Sequence, residues 1–395
     1  MSAEGQAAGK AVWFRCPVAG RCGGCQLTRL PYPAQLRHKQ ETIEALLGRY
    51  CPVEPIIGME DPLHYRAKVH AVLATDRHGV PVGGVYEAGT HRVVPVRNCL
   101  IEDARASAII RTAVGLIGKH QIRVYNEYTH RGFLRHILVR AAHETGEIMV
   151  ILVGTGDTFP AQGALTADLV AACPEITTVV LNVNAARTSM VLGRRDIPLY
   201  GPGFIEDTLL GCRFRISPQS FYQVNSRQTA VLYRTALRLA GLSGRELLID
   251  AYCGTGTIGL TAAAHCREVI GIELNAAAVR DARVNAQLNG IANARFVCAD
   301  AGQHMVHLAA DGLRPDVVIL DPPRTGSDPR FLSALCETGP ARIVYVSCGP
   351  DTLARDLAFL TTHGYRAERA VPVDMFPATE HIETVCSLSR EAQEA

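Results

Sequence analysis

The stretch Asp250-Ala251-Tyr252-Cys253-Gly254-Thr255-Gly256-Thr257 constrains this chain more than any other. Glu246-Leu247-Leu248-Ile249 runs into it and reads as a buried strand, and Ile258-Gly259-Leu260-Thr261-Ala262 leaves it as a helix. Strand, glycine turn and helix form the first unit of a nucleotide-binding α/β sheet, with Gly254 and Gly256 letting the backbone turn tightly against a ligand. About twenty residues on, Glu273 closes a second apolar strand, where an acidic side chain binds ribose hydroxyls. Asp250 ends the first strand. A carboxylate there repels a pyrophosphate but pairs with the ammonium of an amino-acid tail, which favours S-adenosylmethionine over a dinucleotide.

The alternation continues to the end of the chain. Strands are expected over 268–273, 294–299, 316–320 and 342–347, helices over 226–239, 276–287, 331–336 and 352–361, and a closing antiparallel hairpin near 365–373 and 382–388. In a doubly wound sheet, ligands sit at the carboxyl ends of the strands. Those ends carry Asp250, Glu273, Asp300, Asp321-Pro322-Pro323-Arg324 and Ser347-Cys348-Gly349-Pro350. Asp300 is placed for an adenine amino group; the plainer reading is a helix cap. Amine methyltransferases follow a similar Pro-Pro turn with a stacking aromatic, and Arg324 stands here instead. Cys348 suits carbon methylation. C5 of a pyrimidine is a weak nucleophile until a thiolate adds at C6, and a strand-end position is expected to favour the thiolate. The later removal of the C5 proton needs a base, for which Glu383 is the candidate. The alternatives are a packed Cys348 and a solvated Glu383.

Upstream, short strands separated by turns dominate from about 65 to 215, with helices expected over 35–48 and 157–172. His130-Arg131-Gly132-Phe133-Leu134-Arg135-His136-Ile137-Leu138-Val139-Arg140 is basic with an aromatic, and reads either as a solvated strand edge or as contacts to RNA phosphates. Arg194, Arg195, Arg213 and Arg215 are further candidates. Earlier still, Cys16, Cys22 and Cys25 are spaced C-x5-C-x2-C among glycines, with Cys99 the best distant fourth ligand. Four thiolates hold a [4Fe–4S] cluster or zinc; only one C-x-x-C hook exists, which favours iron and sulfur. Thirteen cysteines with no secretion signal point to a cytoplasmic protein rather than a disulfide framework. A net charge of +2 limits any nucleic-acid surface to a local patch.

Phe221-Tyr222-Gln223-Val224-Asn225, the glycine loop, Asp321-Pro322-Pro323-Arg324, Ser347-Cys348 and His381-Ile382-Glu383-Thr384 together resemble the RNA uracil-C5 methyltransferase family over nearly the whole chain. The resemblance implies Cys348 as nucleophile, Glu383 as base, and Gln223, Tyr252, Gly254, Gly256, Thr257, Glu273, Asp300 and Asp321 around S-adenosylmethionine. It implies a [4Fe–4S] cluster on Cys16, Cys22, Cys25 and Cys99, which the tRNA branch lacks, so it points to 23S ribosomal RNA. Gly349 and Thr257 depart from the family's usual Asn at both places. With fifteen residues ahead of Cys16, the chain is most like the shorter ribosomal members, without a TRAM domain. The expected fold is α/β: a leader over 1–13, an iron–sulfur and β-rich RNA-binding α+β domain over 14–215, and a Rossmann-like class I methyltransferase domain over 216–395. The expected partner is RNA, with no membrane or DNA, and the chain a monomer. The rival readings are a tRNA uridine methyltransferase, a cytosine-C5 enzyme and a non-catalytic RNA-binding iron–sulfur protein.

Overall fold

The computed structural model describes residues 12–391, so all of the expected leader except Val12 and Trp13 lies outside the described residues. A single turn, α1 (Ala19–Cys22), lies inside the cysteine loop, and α2 (Tyr32–Leu47) follows. Pro33 occupies the first turn of α2, where a missing N–H leaves nothing unbonded. A seven-stranded sheet comes next, from β1 (Lys68–Thr75), β2 (Pro81–Tyr86), β3 (Val93–Pro95), β4 (Leu134–Ala141), β5 (Ile148–Gly154), β6 (Ile176–Val183) and β7 (Arg195–Tyr200). Its order is β3-β2-β1-β4-β5-β6-β7. Helix α3 (Ala104–Lys119), capped by the Asp103 carboxylate, and α4 (Gln162–Ala172) seal one apolar face of it. Helix α4 starts later than expected, after Pro160.

Strand β4 lies inside this sheet and is buried along its whole length. That corrects both readings for Arg135 and Arg140, while His130 and Arg131 ahead of the strand are exposed. The Arg135 guanidinium is 3% exposed; it pairs with Glu127 at 2.9 Å and donates to the Ala186 carbonyl at 2.8 Å. Arg140 donates to the carbonyls of Ser220 at 2.6 Å and Pro218 at 3.1 Å. Both cations are spent on internal acceptors, so neither forms a solvated edge or meets a phosphate.

A hairpin, β8 (Ile205–Leu209) with β9 (Cys212–Ile216), leads to α5 (Ser226–Ala240), which Asn225 caps by accepting from the Gln228 amide. Then come β10 (Leu247–Ala251), α6 (Thr257–Ala262), β11 (Glu268–Glu273), α7 (Ala276–Leu288), β12 (Ala294–Cys298), α8 (Ala301–Ala310), β13 (Val317–Leu320), α9 (Pro329–Thr338), β14 (Arg342–Ser347), α10 (Pro350–Thr361), β15 (Tyr365–Val373) and β16 (Glu383–Arg390). The sheet runs β12-β11-β10-β13-β14-β16-β15, parallel up to β14. Strand β16 slots antiparallel between β14 and β15, so of the closing hairpin only β15 lies at an edge, opposite β12 at the other. Apolar clusters cover both faces, which is why its strands read as continuous apolar runs. Ile43 and Leu47 of α2 pack into one of these clusters. Helix α2, which the sequence groups with 14–215, is thus built into the flank of the second sheet. No helix among the described residues is long and apolar enough to cross a membrane.

Candidate active site

The turn after β10 is shaped by three left-handed residues: Tyr252 at φ 63°, Gly254 at 54° and Gly256 at 80°. At Gly256 a β-carbon would stand 2.9 Å from the Phe296 ring, so both conformation and space require glycine. The Glu273 carboxylate ties this loop to the end of β11, accepting from the Gly254 amide at 3.1 Å and the Asn275 amide at 2.7 Å. The Thr257 hydroxyl meets the Tyr233 hydroxyl at 2.9 Å.

A cleft of about 830 Å³ opens over these strand ends, lined by Gln223, Tyr252, Gly254, Thr257, Glu273, Asp300, Asp321, Cys348 and Glu383. The structure therefore gathers all but two of the expected cleft residues: Gly256 and Asp250 do not line it. Asp300 is both cleft wall and cap, its carboxylate accepting from the Gln303 amide at 2.9 Å. Asp250 corrects an expectation. It is wholly buried, does not line the cleft, and accepts from the Gly259 amide at 2.7 Å. It holds the glycine loop from beneath and is not placed to meet a ligand's ammonium. Burial, with the charges of Asp321 and Glu273 adding to it, pushes its pKa up to about 7.

Cys348 follows β14 and Glu383 opens β16. Ser347 pairs with Thr384 in the ladder, so one step outward the thiol and the carboxylate come from facing positions. Glu383 is only 4% exposed, not solvated. Burial, then the charge of Asp321, holds its pKa well above the usual carboxylate range, while Arg324 opposes the shift. Burial likewise raises Asp321 to about 7. The thiol corrects a second expectation: burial, then Glu383 and Asp321, pushes Cys348 up to about 11, against the pull of Arg324. A strand end alone does not make this sulfur a thiolate. Three acids share one cleft, and a ligand carrying positive charge would ease the ionisation of all three.

Sequence reasoning missed the rest of the wall. Gly24 and Arg66 reach in from the N-terminal half, and Phe376, Thr379 and His381 from the loop between β15 and β16. Only the neighbouring His381-Ile382-Glu383 motif hinted at that loop. Gly24 sits inside the cysteine loop, so loop and cleft are continuous. Cys25 and Cys99 pack against one apolar cluster, and burial, with the charges of Cys99, Cys22 and Cys16 adding to it, raises Cys25 to about 12. Among the described residues, however, no three His, Cys, Asp or Glu side chains stand in ion-holding geometry.

A family model described as tRNA (uracil-5-)-methyltransferase matches residues 205–391. An uncharacterized RNA methyltransferase of Halalkalibacterium halodurans is 43% identical over 94% of this chain and 82% of its own length. The chain belongs to the RNA uracil-5 methyltransferase family. Another such relative, from Caldanaerobacter subterraneus, is 42% identical over 95% of the chain and 84% of its own. Among solved structures, the Pyrococcus abyssi tRNA (uracil-54, C5)-methyltransferase in complex with S-adenosyl-L-homocysteine superposes with a TM-score of 0.77 at 29% identity, covering 92% of this chain and 85% of that one. The enzyme is an S-adenosylmethionine-dependent RNA uracil-5 methyltransferase, and the acidic cleft suits a sulfonium cofactor.

Proposed function

We propose that this enzyme methylates C5 of a uridine in 23S ribosomal RNA through a covalent adduct on Cys348. The observation that carries the chemistry is the facing of Cys348 and Glu383 across one ladder step, inside the cofactor cleft. S-adenosylmethionine supplies a methyl group on a positively charged sulfur, and that charge favours the thiolate beside it. The target base is swung out of its stack into the cleft. Cys348 Sγ, its proton given up to solvent, bonds to C6 of the uracil, and the C5=C6 electron pair moves onto C5 and O4. C5 then takes the methyl carbon, whose bonding pair stays behind on the cofactor sulfur. The Glu383 carboxylate removes the C5 proton; the C–H pair restores C5=C6, and the C6–Sγ bond breaks to return the thiolate. Burial and Asp321 disfavour the Glu383 carboxylate, and the positive charge of the bound cofactor would favour the form that takes the proton. Gln223, Tyr252, Gly254, Thr257, Glu273, Asp300 and Asp321 surround the cofactor, with Gly256 shaping the loop from below.

The choice of ribosomal RNA rests on the four gathered cysteines. Cys25 and Cys99 flank one apolar cluster, and the charges of Cys99, Cys22 and Cys16 act on Cys25. Cys16, Cys22, Cys25 and Cys99 would hold a [4Fe–4S] cluster as a structural centre, since uridine methylation moves no electron. Anaerobically purified enzyme is expected to carry about four iron and four sulfide per chain, and Cys25→Ser to lose them. Iron-free protein with bound zinc would refute the cluster.

A second reading, transfer RNA, is favoured by the likeness to the Pyrococcus abyssi enzyme. The two separate in one assay. Transcripts of 23S and transfer RNA are incubated with enzyme and cofactor, and 5-methyluridine is mapped by mass spectrometry. Product in 23S RNA alone is expected; product confined to transfer RNA would overturn the target assignment and leave the chemistry intact.

A further inference from the structure

Lys39 lies in the middle of α2, and its side chain is fully buried, as is that of its partner Asp374. Burial works against the ammonium charge and Asp374 works for it. The ammonium has three acceptors: Asp374 Oδ1 at 2.6 Å, the His381 carbonyl at 2.9 Å and the Phe376 carbonyl at 3.1 Å. Asp374 is the first residue after β15, and His381 stands two residues before Glu383. One ammonium thus gathers the start, middle and end of the loop that carries Phe376, Thr379 and His381 into the cleft.

The same loop is gripped at other points. The Tyr32 hydroxyl donates to Asp374 Oδ2 at 2.8 Å and accepts from the Met59 amide at 2.8 Å. Gln35 Oε1 accepts from the Ala378 amide at 2.8 Å, and the Ala378 carbonyl accepts from the Leu27 amide at 2.9 Å. Ala378 is held at φ 69°, left-handed without being glycine, a conformation that persists only where its surroundings impose it. An apolar side chain would fill this space without the desolvation cost of a buried ion pair. The pair instead fixes one loop shape immediately before Glu383.

We propose that Lys39 is a positioning residue for methyl transfer: from α2, it sets the loop 374–381 so that Glu383 meets the C5 proton of the bound uracil. This rests on the assignment of Glu383 as the base. Lys39 touches neither substrate nor cofactor in this arrangement, so its loss should slow one step rather than weaken binding.

The test uses the Lys39→Met/Asp374→Asn double variant, which removes both charges and leaves no lone buried ion. The expected result is a folded enzyme with S-adenosylmethionine affinity within about threefold of the parent. Turnover is expected to fall about 10- to 100-fold, the scale for a reacting group displaced by about an ångström. The covalent enzyme–RNA adduct is expected to accumulate on ordinary uridine RNA, because addition and methylation proceed while proton removal stalls. A merely structural lysine would not produce that adduct. Unchanged turnover in the folded variant, or slowed turnover with no adduct, would overturn the proposal. If the double variant does not fold, Tyr32→Phe, which deletes only the hydroxyl on Asp374, carries the same test with about a 3- to 10-fold loss. Glu383→Gln is the control: normal turnover there overturns the base assignment and this inference with it, whereas an adduct in Glu383→Gln but not in the Lys39 variant overturns the positioning role alone.

Discussion

Cys348→Ala is expected to lower methyl transfer by on the order of 10⁴-fold or more while leaving fold and cofactor affinity in place. Without the thiol nothing adds to C6, and C5 keeps the low electron density of a neutral uracil. The sulfur packs at the cleft wall and the strand end is set by the backbone ladder, so alanine there costs the sheet little. Tritiated methyl transfer to RNA measures the rate, and 5-fluorouridine RNA, which the parent enzyme should trap covalently, should give no adduct. Parental turnover in a folded, cofactor-binding Cys348→Ala protein would end the covalent mechanism. The thiol also has a pH signature. With its pKa near 11 in the empty cleft, alkylation by iodoacetamide should be slow at neutral pH and climb toward pH 11. Bound S-adenosylmethionine should move that climb to lower pH, and an uncharged analogue should move it less.

Glu383→Gln is expected to slow turnover about 10²- to 10⁴-fold, the range for loss of a general base. Unlike the cysteine variant, it should hold methylated RNA covalently on ordinary uridine substrate, visible as a shifted band on a denaturing gel. Failure to accumulate that species would move the base elsewhere. Stability should change in the opposite sense. The folded-state pKa of Glu383 lies above its unfolded value, so its contribution to stability is fully present below the ordinary carboxylate pKa and is lost as pH rises through the raised one. Glutamine carries no charge to bury beside Asp321. Thermal unfolding of the cofactor-free variant should therefore occur above that of the parent at pH 8, with the gap narrowing at pH 5. A gap that widens toward acid would mean that the carboxylate is stabilised by partners in the fold.

The parallel sheet could be read from the sequence because strands buried on both faces show as unbroken apolar runs, each ending on the residue that faces the cleft. Glu273, Asp321 and Cys348 were legible for that reason. Asp250 occupies a similar strand end, yet only the fold shows it turned beneath the loop to bond Gly259. Arg135 and Arg140 misled because a cation in sequence says nothing about nearby carbonyls, and both found internal ones. Lys39 lies among polar residues in what reads as a surface-exposed stripe of an amphipathic helix; the loop that buries it is 335 residues away. Helix α8 was missed although Ala301, Met305 and Leu308 recur at helical spacing, because Gly302 and two histidines interrupt the run between them. The raised thiol pKa was beyond reach because it depends on Glu383 and Asp321, which join Cys348 only in the folded chain.

Strand β16, threaded between β14 and β15, has a mechanical consequence. The sulfur proposed to add to the ring and the carboxylate proposed to strip its proton come from facing positions one step beyond the Ser347–Thr384 pair of this ladder. A slip of one rung would turn Glu383 to the opposite side of the sheet, yet the apolar side chains of β16 would turn with it and leave both cores. The spacing of the two reacting groups is therefore guarded by the cooperativity of the whole sheet.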